Sequence, residues 1–488
     1  MSDSEFSALI GLPVGFSREL IIGSRLVRVP DGQLSPAASP LHPTGTWSFP
    51  SATTADALAA LDAASKAQPT WRRWDVADRC AMVARLADLL QENSDVLIRV
   101  MTLESGKARR WAALEVAATV RTLKYMAGLA PQLPEQLAAA RFESSISMRQ
   151  LRPVGPALLI TPWNFPLSLA SKKLASALIA GCTVLLKPSE LTPITGLLLG
   201  RYALEAGVPD GVVSVLPTSD SPSLVASLTE SVKLRKVSFT GSTRVGREVH
   251  KATSRNFQRL SLELGGNAPS LVLPDAEPAE AARMIWAAKV HNSGQACTAP
   301  NRAFIPESLV PVLRAEFENL IASTGTGDPS LDETSVGPLI SAGAVSRLQG
   351  FLSEVSGEML SSASSFDNSA FMAPTVAFDA SIPASLSDEE LFGPVLPVIV
   401  YRDNDLAGVI ERANESNYGL AAYVYSGDPD AAMEVASELD VGMVAINRSS
   451  PQTPLTPFGG VKHSGFGREN GVYGILEFVE THAIVTDE

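Results

Sequence analysis

The sequence predicts an α/β protein with two doubly wound parallel sheets and a small separate β segment. Short apolar runs alternate with helix-like stretches in two series along the 488 residues. Alternation of this kind is typical of parallel sheets with helices on both faces. The predicted strands are residues 157–160, 183–186, 212–215 and 236–239 in the first series, then 270–273, 395–400 and 444–446 in the second.

Composition and charge limit the classes of protein that this chain can belong to. It is 45% hydrophobic and 19% charged, enough apolar material for roughly two to four domains. The net charge of −13 argues against a nucleic-acid partner, because phosphate binding needs concentrated Lys and Arg. The three cysteines and five histidines show neither disulfide nor metal-ligand spacing. We therefore expect a reducing compartment and no metal site.

The amino terminus and the hydropathy pattern predict a cytoplasmic protein with no membrane segment. Residues 1–5 carry acidic side chains where a secretory signal would carry basic ones. No uninterrupted apolar run approaches the roughly 20 residues that a membrane span needs.

Irregular structure and helices are predicted before the first strand series. Residues 1–45 mix Gly, Pro and Ser with short apolar runs, which indicates a lead-in with one hairpin. Hydroxyls and an acid at residues 53–56 can cap a helix over 57–64. Apolar residues recur at helical spacing over 76–101, and a third helix is predicted over 109–129.

Residues 145–152 alternate polar and apolar side chains, which predicts a half-exposed strand outside the main core. The edges of such a strand invite pairing with another chain. The second series starts near Pro269 and places Cys297 at the end of its first helix, residues 277–290. The predicted boundaries are 1–130 with 153–264 for the first domain, 265–473 for the second, and 131–152 with 474–488 for the β segment, here called the arm.

Cys297 and Glu263 are the residues with the most evident chemistry. Cys297 lies among small and polar residues, where its sulfur can stay reachable, and Glu263 lies 34 residues earlier. A thiolate is a strong nucleophile, and a nearby carboxylate can help water to remove an acyl group from it. A lone cysteine is more often a small buried apolar residue, so the surrounding motifs have to decide between the two interpretations.

Polar side chains follow several predicted strands, at the edge where ligands of parallel sheets bind. Gly241 permits close backbone approach, and Ser242 or Thr243 can cap a helix whose N–H groups face a pyrophosphate. Lys187 and Glu190 form a chemically sensible clamp for ribose hydroxyls. Glu390, beside Phe392, would suit a second ribose and its nicotinamide. Taken singly, an ordinary turn or a solvated surface charge explains each feature equally well.

Seven sequence blocks resemble the NAD(P)-dependent aldehyde dehydrogenase superfamily, over about residues 45–480. They occur in the order and approximate spacing of that family, which makes the resemblance highly specific. The blocks are 162–166 (PWNFP), 187–190 (KPSE), 239–242 (FTGS), 262–266 (LELGG), 294–297 (GQAC), 390–394 (ELFGP) and 457–465 (PFGGVKHSG).

The resemblance implies a role for each catalytic residue. Cys297 would attack the aldehyde carbon, and the Asn164 amide with the Cys297 backbone N–H would hold the oxyanion. Loss of hydride would leave a thioester on Cys297, and Glu263 would act as general base toward water. Relatives that transfer the acyl group to coenzyme A generally lack this glutamate, so Glu263 favours hydrolysis and release of the carboxylic acid.

The resemblance also implies a Rossmann-like cofactor domain, a catalytic domain and an arm for oligomerisation. NAD is the expected cofactor and NADP is tolerated, because a carboxylate at Glu190 repels a 2′-phosphate unless it rotates away. The arm, with residues 481–485, would build a homodimer or homotetramer. The expected cofactor-binding residues are Thr161, Pro162, Trp163, Lys187, Ser189, Glu190, Gly241, Ser242, Leu264, Gly265, Glu390 and Phe392.

Substrate residues follow from the same resemblance. Lys172 and His291 fall where relatives acting on acidic semialdehydes place basic anchors, and Arg448 would add a charge. Our hypothesis is a polar or anionic far end of the aldehyde; in the competing interpretation Lys172 and Arg448 face solvent or pair with acids. The expected substrate-site residues are Phe165, Leu169, Lys172, His291, Ala296, Thr298, Arg448, Gln452 and Phe458.

Two other functions remain to be compared with aldehyde oxidation. A thiol hydrolase or acyltransferase would use Cys297 with His291 and would need no dinucleotide crevice. A non-catalytic protein that keeps the fold would not need Cys297, Glu263 and Asn164 together.

Overall fold

The computed structural model describes residues 5, 7, 8, 11, 16–129, 133, 136–142, 145–362 and 366–487. Two large sheets and a three-stranded arm sheet confirm the predicted fold class. Within these residues, none of the helices combines the length and the apolar character that spanning a bilayer requires.

The first sheet has eight strands in the order β2-β1-β9-β8-β7-β10-β11-β21. Its five central strands are parallel, and β1, β2 and β21 are antiparallel additions at the edges. The chain order therefore reverses between β7 and β10, where such sheets bind ligands. The strands are β1 (Glu19–Ile22), β2 (Arg25–Arg28), β7 (Ala157–Ile160), β8 (Val184–Lys187), β9 (Val213–Val215), β10 (Lys236–Thr240), β11 (Arg259–Glu263) and β21 (Gly465–Phe466).

Helices cover both faces of this sheet because successive strand residues point to opposite sides. Leu159 belongs to one buried apolar cluster, whereas its neighbours Leu158 and Ile160 belong to another. The helices are α1 (Thr54–Trp71), α2 (Val76–Glu92), α3 (Ser94–Ser105), α4 (Arg109–Ala127), α5 (Pro166–Ala180), α6 (Pro193–Glu205), α7 (Ser221–Thr229), α8 (Thr243–Ser254) and the short α14 (Gly471–Leu476).

Local sequence explains where several helices begin. The side chain of Thr53 accepts a hydrogen bond from the backbone N–H of Asp56, and the Asp56 carboxylate accepts one from the N–H of Thr53, which forms a capping box. The helical pattern predicted over 76–101 is two helices, separated at Asn93. Pro166 and Pro193 occupy the first positions of α5 and α6, where the missing N–H costs nothing.

The second sheet has seven strands in the order β14-β15-β16-β13-β12-β18-β19, all parallel except β14. It too has buried apolar clusters on both faces. The strands are β12 (Pro269–Val272), β13 (Arg302–Pro306), β14 (Ser356–Ser361), β15 (Thr375–Ser381), β16 (Val395–Tyr401), β18 (Ala421–Tyr425) and β19 (Met443–Ile446). The helices are α9 (Pro278–Val290), α10 (Val310–Ser323), α11 (Ala342–Glu354), α12 (Leu406–Asn414) and α13 (Pro429–Glu438).

The arm sheet has the order β22-β6-β5, built from β5 (Gln136–Phe142), the predicted half-exposed strand β6 (Ser145–Pro153) and β22 (Val479–Asp487). The amino-terminal prediction of one hairpin was wrong: β1 pairs with β2, and β3 (Leu34–Ser39) pairs with β4 (His42–Pro50). The first hairpin extends the first sheet, a long-range pairing that local composition does not reveal. A further small pair joins β17 (Tyr418–Gly419) to β20 (Val461–Lys462).

Candidate active site

Cys297 lies on a sharply turned segment that follows α9. Asn292 and Ser293 both adopt left-handed backbone conformations, with φ of 52° and 55°, which non-glycine residues adopt only where the surroundings enforce them. The turn brings the carbonyl of Cys297 against Gly266. A Cβ atom at Gly266 would lie 2.4 Å from the Cys297 carbonyl oxygen, so only glycine fits there.

The charges around Cys297 favour the protonated thiol. Desolvation is the largest influence that raises its pKa, followed by the negative charges of Glu390 and Glu263, and the positive charge of Lys172 opposes them. The ring of His291 packs against Trp111 and Phe165, with centroid distances of 4.8 and 5.5 Å. Desolvation, with the charge of Lys107, lowers the pKa of His291 to about 4, so the ring is neutral at pH 7.

Asn164 connects the end of β7 to the Cys297 segment. Its side-chain Nδ2 donates to the carbonyl of Gln295 at 3.0 Å. Its own carbonyl accepts from Asn292 Nδ2 at 3.0 Å and from Lys107 Nζ at 2.7 Å. The structure therefore brings Asn164 and the cysteine segment together, as the sequence predicts, although they are distant in the chain.

Glu263 ends β11 and is buried, with 2% of the residue exposed. Neither carboxylate oxygen has a hydrogen-bond partner within the described part of the chain. Burial raises the pKa of Glu263 well above its usual value, and the charge of Glu469 raises it further, whereas Lys173 and Arg468 lower it. Such a carboxylate accepts a proton readily and is available to an incoming polar group.

Lys173 and Glu469 complete the surroundings of Glu263. The two side chains form a buried ion pair, and Lys173 Nζ also donates to Ser238 Oγ at 2.7 Å. The sequence analysis did not identify either residue. A signal was present, because two adjacent lysines within the apolar run of α5 cannot both be solvated, and a buried ammonium needs a partner.

Glu390 lies beside the turn that joins the two sheets. Its Oε1 accepts from the backbone N–H of Gly266 at 3.0 Å, and a Cβ atom at Gly265 would lie 2.6 Å from its Oε2. Desolvation raises the pKa of Glu390 to about 7. The nearby ring of Phe392 meets Trp163 edge-on at a centroid distance of 5.7 Å.

The other predicted cofactor-binding residues lie at or just after the carboxyl ends of β7, β8, β10 and β11. Lys187 is buried, and its Nζ approaches the exposed Glu190 carboxylate at 3.4 Å. Ser242 caps α8 by accepting from the N–H of Val245 at 3.4 Å. The remaining members of this set are Thr161 and Ser189, which are buried; Pro162 and Gly241, which are partly exposed; and Leu264, which is buried against α8 at Gly246.

These residues fit a dinucleotide. The hydroxyl of Thr161 is buried and has no hydrogen-bond partner in the described residues, and the first turn of α8 offers free N–H groups to an anion. Lys187, Glu190 and Glu390 supply the donors and acceptors that ribose hydroxyls require. No group of three or more possible metal-binding side chains occurs within the described ranges.

The predicted substrate residues divide into a buried group and an exposed one. Lys172 is 7% exposed, and its Nζ lies 3.4 Å from Gln452 Oε1 and 5.5 Å from the centroid of the Phe458 ring. Arg448 is instead exposed and lines a groove of about 760 Å³ whose lining does not include Lys172. Of the remaining residues, Phe165 follows Asn164 in the sequence, and Ala296 and Thr298 flank Cys297. Leu169 lies one helical turn after Phe165.

Sequence and structure comparisons identify the family. Residues 30–484 match the model of the aldehyde dehydrogenase family. The chain belongs to this family. The succinate-semialdehyde dehydrogenase of Paenarthrobacter nicotinovorans is 39% identical over 439 residues, which are 89% of this chain and 97% of that protein. The glutarate-semialdehyde dehydrogenase of Pseudomonas putida is 33% identical over 467 residues, 95% of this chain and 97% of that protein.

A solved NAD+ complex of an aldehyde dehydrogenase from Bacillus cereus has a TM-score of 0.92 against this chain, with 29% identity and coverage of 99% and 98% of the two chains. This aldehyde dehydrogenase is therefore an NAD(P)-dependent oxidoreductase that converts an aldehyde to its carboxylic acid. The family, the activity and the cofactor class predicted from the sequence are confirmed.

The position of Glu190 leads to a prediction about cofactor preference. We expect Glu190→Gln to raise kcat/KM for NADP relative to NAD, because the substitution removes the charge that repels a 2′-phosphate and leaves Lys187 without its negative neighbour. Steady-state kinetics with both cofactors at one aldehyde concentration measures this ratio. A ratio equal to that of the wild type would show that Glu190 does not select between the cofactors.

Proposed function

We propose that this aldehyde dehydrogenase oxidises a short semialdehyde whose far end carries a carboxylate. The observation that carries the proposal is the buried ammonium of Lys172. Within the described part of the chain, no carboxylate oxygen lies within 4.0 Å of its Nζ, and Gln452 supplies its one polar contact, at 3.4 Å. A buried cation without a counter-ion is costly, and a substrate carboxylate would supply that counter-ion.

The charges around Lys172 support a substrate whose carboxylate pairs with Lys172 while its aldehyde lies at Cys297. Burial lowers the pKa of Lys172, and the negative charge of Glu469 is the first of the influences that counteract this shift. A Cys297 thiolate would act in the same direction, so the two groups lie close enough for their charges to interact. His291 is neutral and contributes no second charge, which favours a substrate with a single carboxylate. The relatives named for succinate and glutarate semialdehydes act on aldehydes of this class.

We assign the first half of the reaction to Cys297 and Asn164. The thiol of Cys297 gives its proton to solvent water as the sulfur bonds to the aldehyde carbon, and the carbonyl oxygen becomes an oxyanion. The amide of Asn164 and the backbone N–H of Cys297 donate to this oxygen, and such donors each contribute about 3 kcal/mol. The chemistry that a bound nicotinamide dinucleotide would supply is acceptance of a hydride from the same carbon. Trp163, Lys187, Glu190, Ser242, Glu390 and Phe392 would hold the dinucleotide.

The second half is hydrolysis of the thioester on Cys297. The carboxylate of Glu263 takes a proton from water as the water oxygen attacks the thioester carbon. The C–S bond then breaks, and the carboxylic acid leaves. The raised pKa of Glu263 suits this role because a carboxylate with a higher pKa accepts a proton from water more readily.

The geometry gives less support to a cysteine hydrolase. A Cys–His pair needs the imidazole beside the thiol, whereas here the His291 ring packs against the rings of Trp111 and Phe165. A hydrolase would also have no use for the strand-end residues that fit a dinucleotide.

We also propose that the arm joins two or four copies of the chain. Strands β5 and β22 are the two edges of the arm sheet, and unpaired edges favour strand pairing with another chain. The predicted boundaries at 130, 152, 264 and 473 remain our proposal for the domains. A cytoplasmic location is proposed because the three cysteines form no disulfide within the described residues.

The proposal predicts that Lys172 selects the substrate. We expect Lys172→Met to lower kcat/KM for succinic semialdehyde about 100-fold, because losing one partner of a buried charge pair costs roughly 2–5 kcal/mol. Hexanal and benzaldehyde should react at rates close to those of the wild type. Lys172→Arg, which keeps the charge, is the matched control and should retain most of the preference. An equal loss with all three aldehydes, or a wild-type preference for hexanal, would contradict the proposal.

The surroundings of Glu263 predict a shift in pH dependence. Glu263 must be ionised to act as a base, so the rate of acyl-enzyme hydrolysis falls as the pH drops through its raised pKa. Glu469→Gln removes a negative charge that raises this pKa and leaves Lys173, which lowers it. We therefore expect the acidic limb of the pH profile to move to lower pH.

Lys173→Met should move the same limb to higher pH, because it removes the neighbouring positive charge. Rapid mixing and quenching at a series of pH values measures the hydrolysis rate directly. Profiles that stay fixed in both variants would show that Glu263 is not the group that titrates.

A further inference from the structure

Two buried side chains from outside the catalytic motifs hold the segment between Asn164 and α5. Glu115, on α4, is 4% exposed, and Lys107, in the loop before α4, is 2% exposed. They form an ion pair with each other. Burying such a pair carries a desolvation cost that its attraction often only balances, so stability alone gives a weak reason for its presence.

Glu115 holds the first turn of α5. Its Oε1 accepts from the backbone N–H groups of Leu167 and Ser168 at 3.0 and 2.9 Å. These are N–H groups that a helix leaves unpaired at its start, where a negative charge is also stabilised. The same helix carries Lys172 and Lys173, so Glu115 fixes the start of the element that presents both lysines.

Lys107 extends this hold to Asn164. Its Nζ donates to the Asn164 carbonyl oxygen at 2.7 Å and lies 4.3 Å from the centroid of the Phe165 ring. The amide of Asn164 then faces the cysteine segment and donates to Gln295. The ammonium thus fixes the main chain of Asn164, whose side chain bonds to the segment that carries Cys297.

A second glutamate shows what capping alone requires. Glu104 is fully buried and accepts from the N–H groups of Ile194 and Thr195, at 2.6 and 3.0 Å, at the start of α6. Within the described residues it has no lysine or arginine within 4.0 Å. At α6 the third donor to the carboxylate is the Thr195 hydroxyl, at 2.6 Å from Glu104 Oε2, whereas at α5 it is an ammonium that also bonds to Asn164.

We propose that Lys107 and Glu115 are positioning residues that set the Asn164 amide for stabilising the oxyanion. This inference rests on the proposed role of Asn164. Neither residue touches the reacting atoms, and both act through the main chain at residues 164–168.

A double-mutant cycle on kcat tests the inference. The variants are Glu115→Gln, the pair Lys107→Met with Glu115→Gln, Asn164→Ala, and all three changes together. Glutamine at 115 keeps an oxygen that can accept from Leu167 and Ser168, and the paired change leaves no unpaired buried charge. The control pair, Arg201→Met with Glu19→Gln, removes a partly exposed ion pair in which the Arg201 guanidinium lies 4.2 Å from the centroid of the Phe16 ring.

We expect Lys107→Met with Glu115→Gln to lower kcat about 10- to 100-fold at saturating NAD and succinic semialdehyde, because small displacements of a catalytic group have effects of this order. Glu115→Gln alone keeps Lys107 on the Asn164 carbonyl and should lower kcat less than the paired change, although the unpaired ammonium should lower Tm. In the Asn164→Ala background, the paired change should lower kcat no further. The control pair should lower Tm without lowering kcat.

Two results would overturn this inference and leave the proposed role of Asn164 intact. One is an unchanged kcat in the Lys107/Glu115 pair when Asn164→Ala lowers kcat, and the other is an equal fall in both backgrounds. A wild-type kcat in Asn164→Ala would instead remove the proposed role of Asn164 itself, and the inference with it.

Discussion

The contact between the backbone of Gly266 and the carbonyl of Cys297 is the constraint on which the site depends. A side chain at residue 266 would collide with that carbonyl. The close approach of the two backbones therefore fixes the position of the cysteine segment relative to the turn that joins the two sheets. The same residue donates its N–H to Glu390, and Glu263 ends the strand three residues earlier. One short turn therefore sets the thiol, the buried carboxylate and a cofactor-side carboxylate relative to each other.

The two adjacent buried lysines of the site differ in their polar partners. Lys173 has a carboxylate partner in Glu469, whereas in the described part of the chain Lys172 contacts the amide oxygen of Gln452 and the ring of Phe458. Both lie on α5 within a mostly apolar stretch, so neither gains stability from burial alone. The pairing of Lys173 explains how a buried carboxylate at Glu263 is tolerated nearby, and Lys172 is the group to which we assign the carboxylate of the substrate.

The sequence predicted those parts of the site that are coded by short contiguous motifs. Cys297, Glu263 and Asn164 could be found because each lies in a block of characteristic residues, and the strands of the first series could be found because their apolar runs are uninterrupted. Lys173 and Glu469 were missed because their contact joins residues 296 positions apart. Lys107 and Glu115 were missed for a similar reason, since their partners lie near residue 164. The exposure of Arg448 depends on the path of the chain after β19, which spacing does not determine.

The central claim is that the aldehyde carbon becomes covalently bound to Cys297 and is released only by water that Glu263 activates. Intact-protein and peptide mass spectrometry of Glu263→Gln after mixing with NAD and succinic semialdehyde tests this most directly. We predict a stoichiometric adduct with the mass of the succinyl group on the peptide that contains Cys297, formed together with one equivalent of reduced cofactor. Reduced cofactor without any adduct, or an adduct on another residue, would contradict the account.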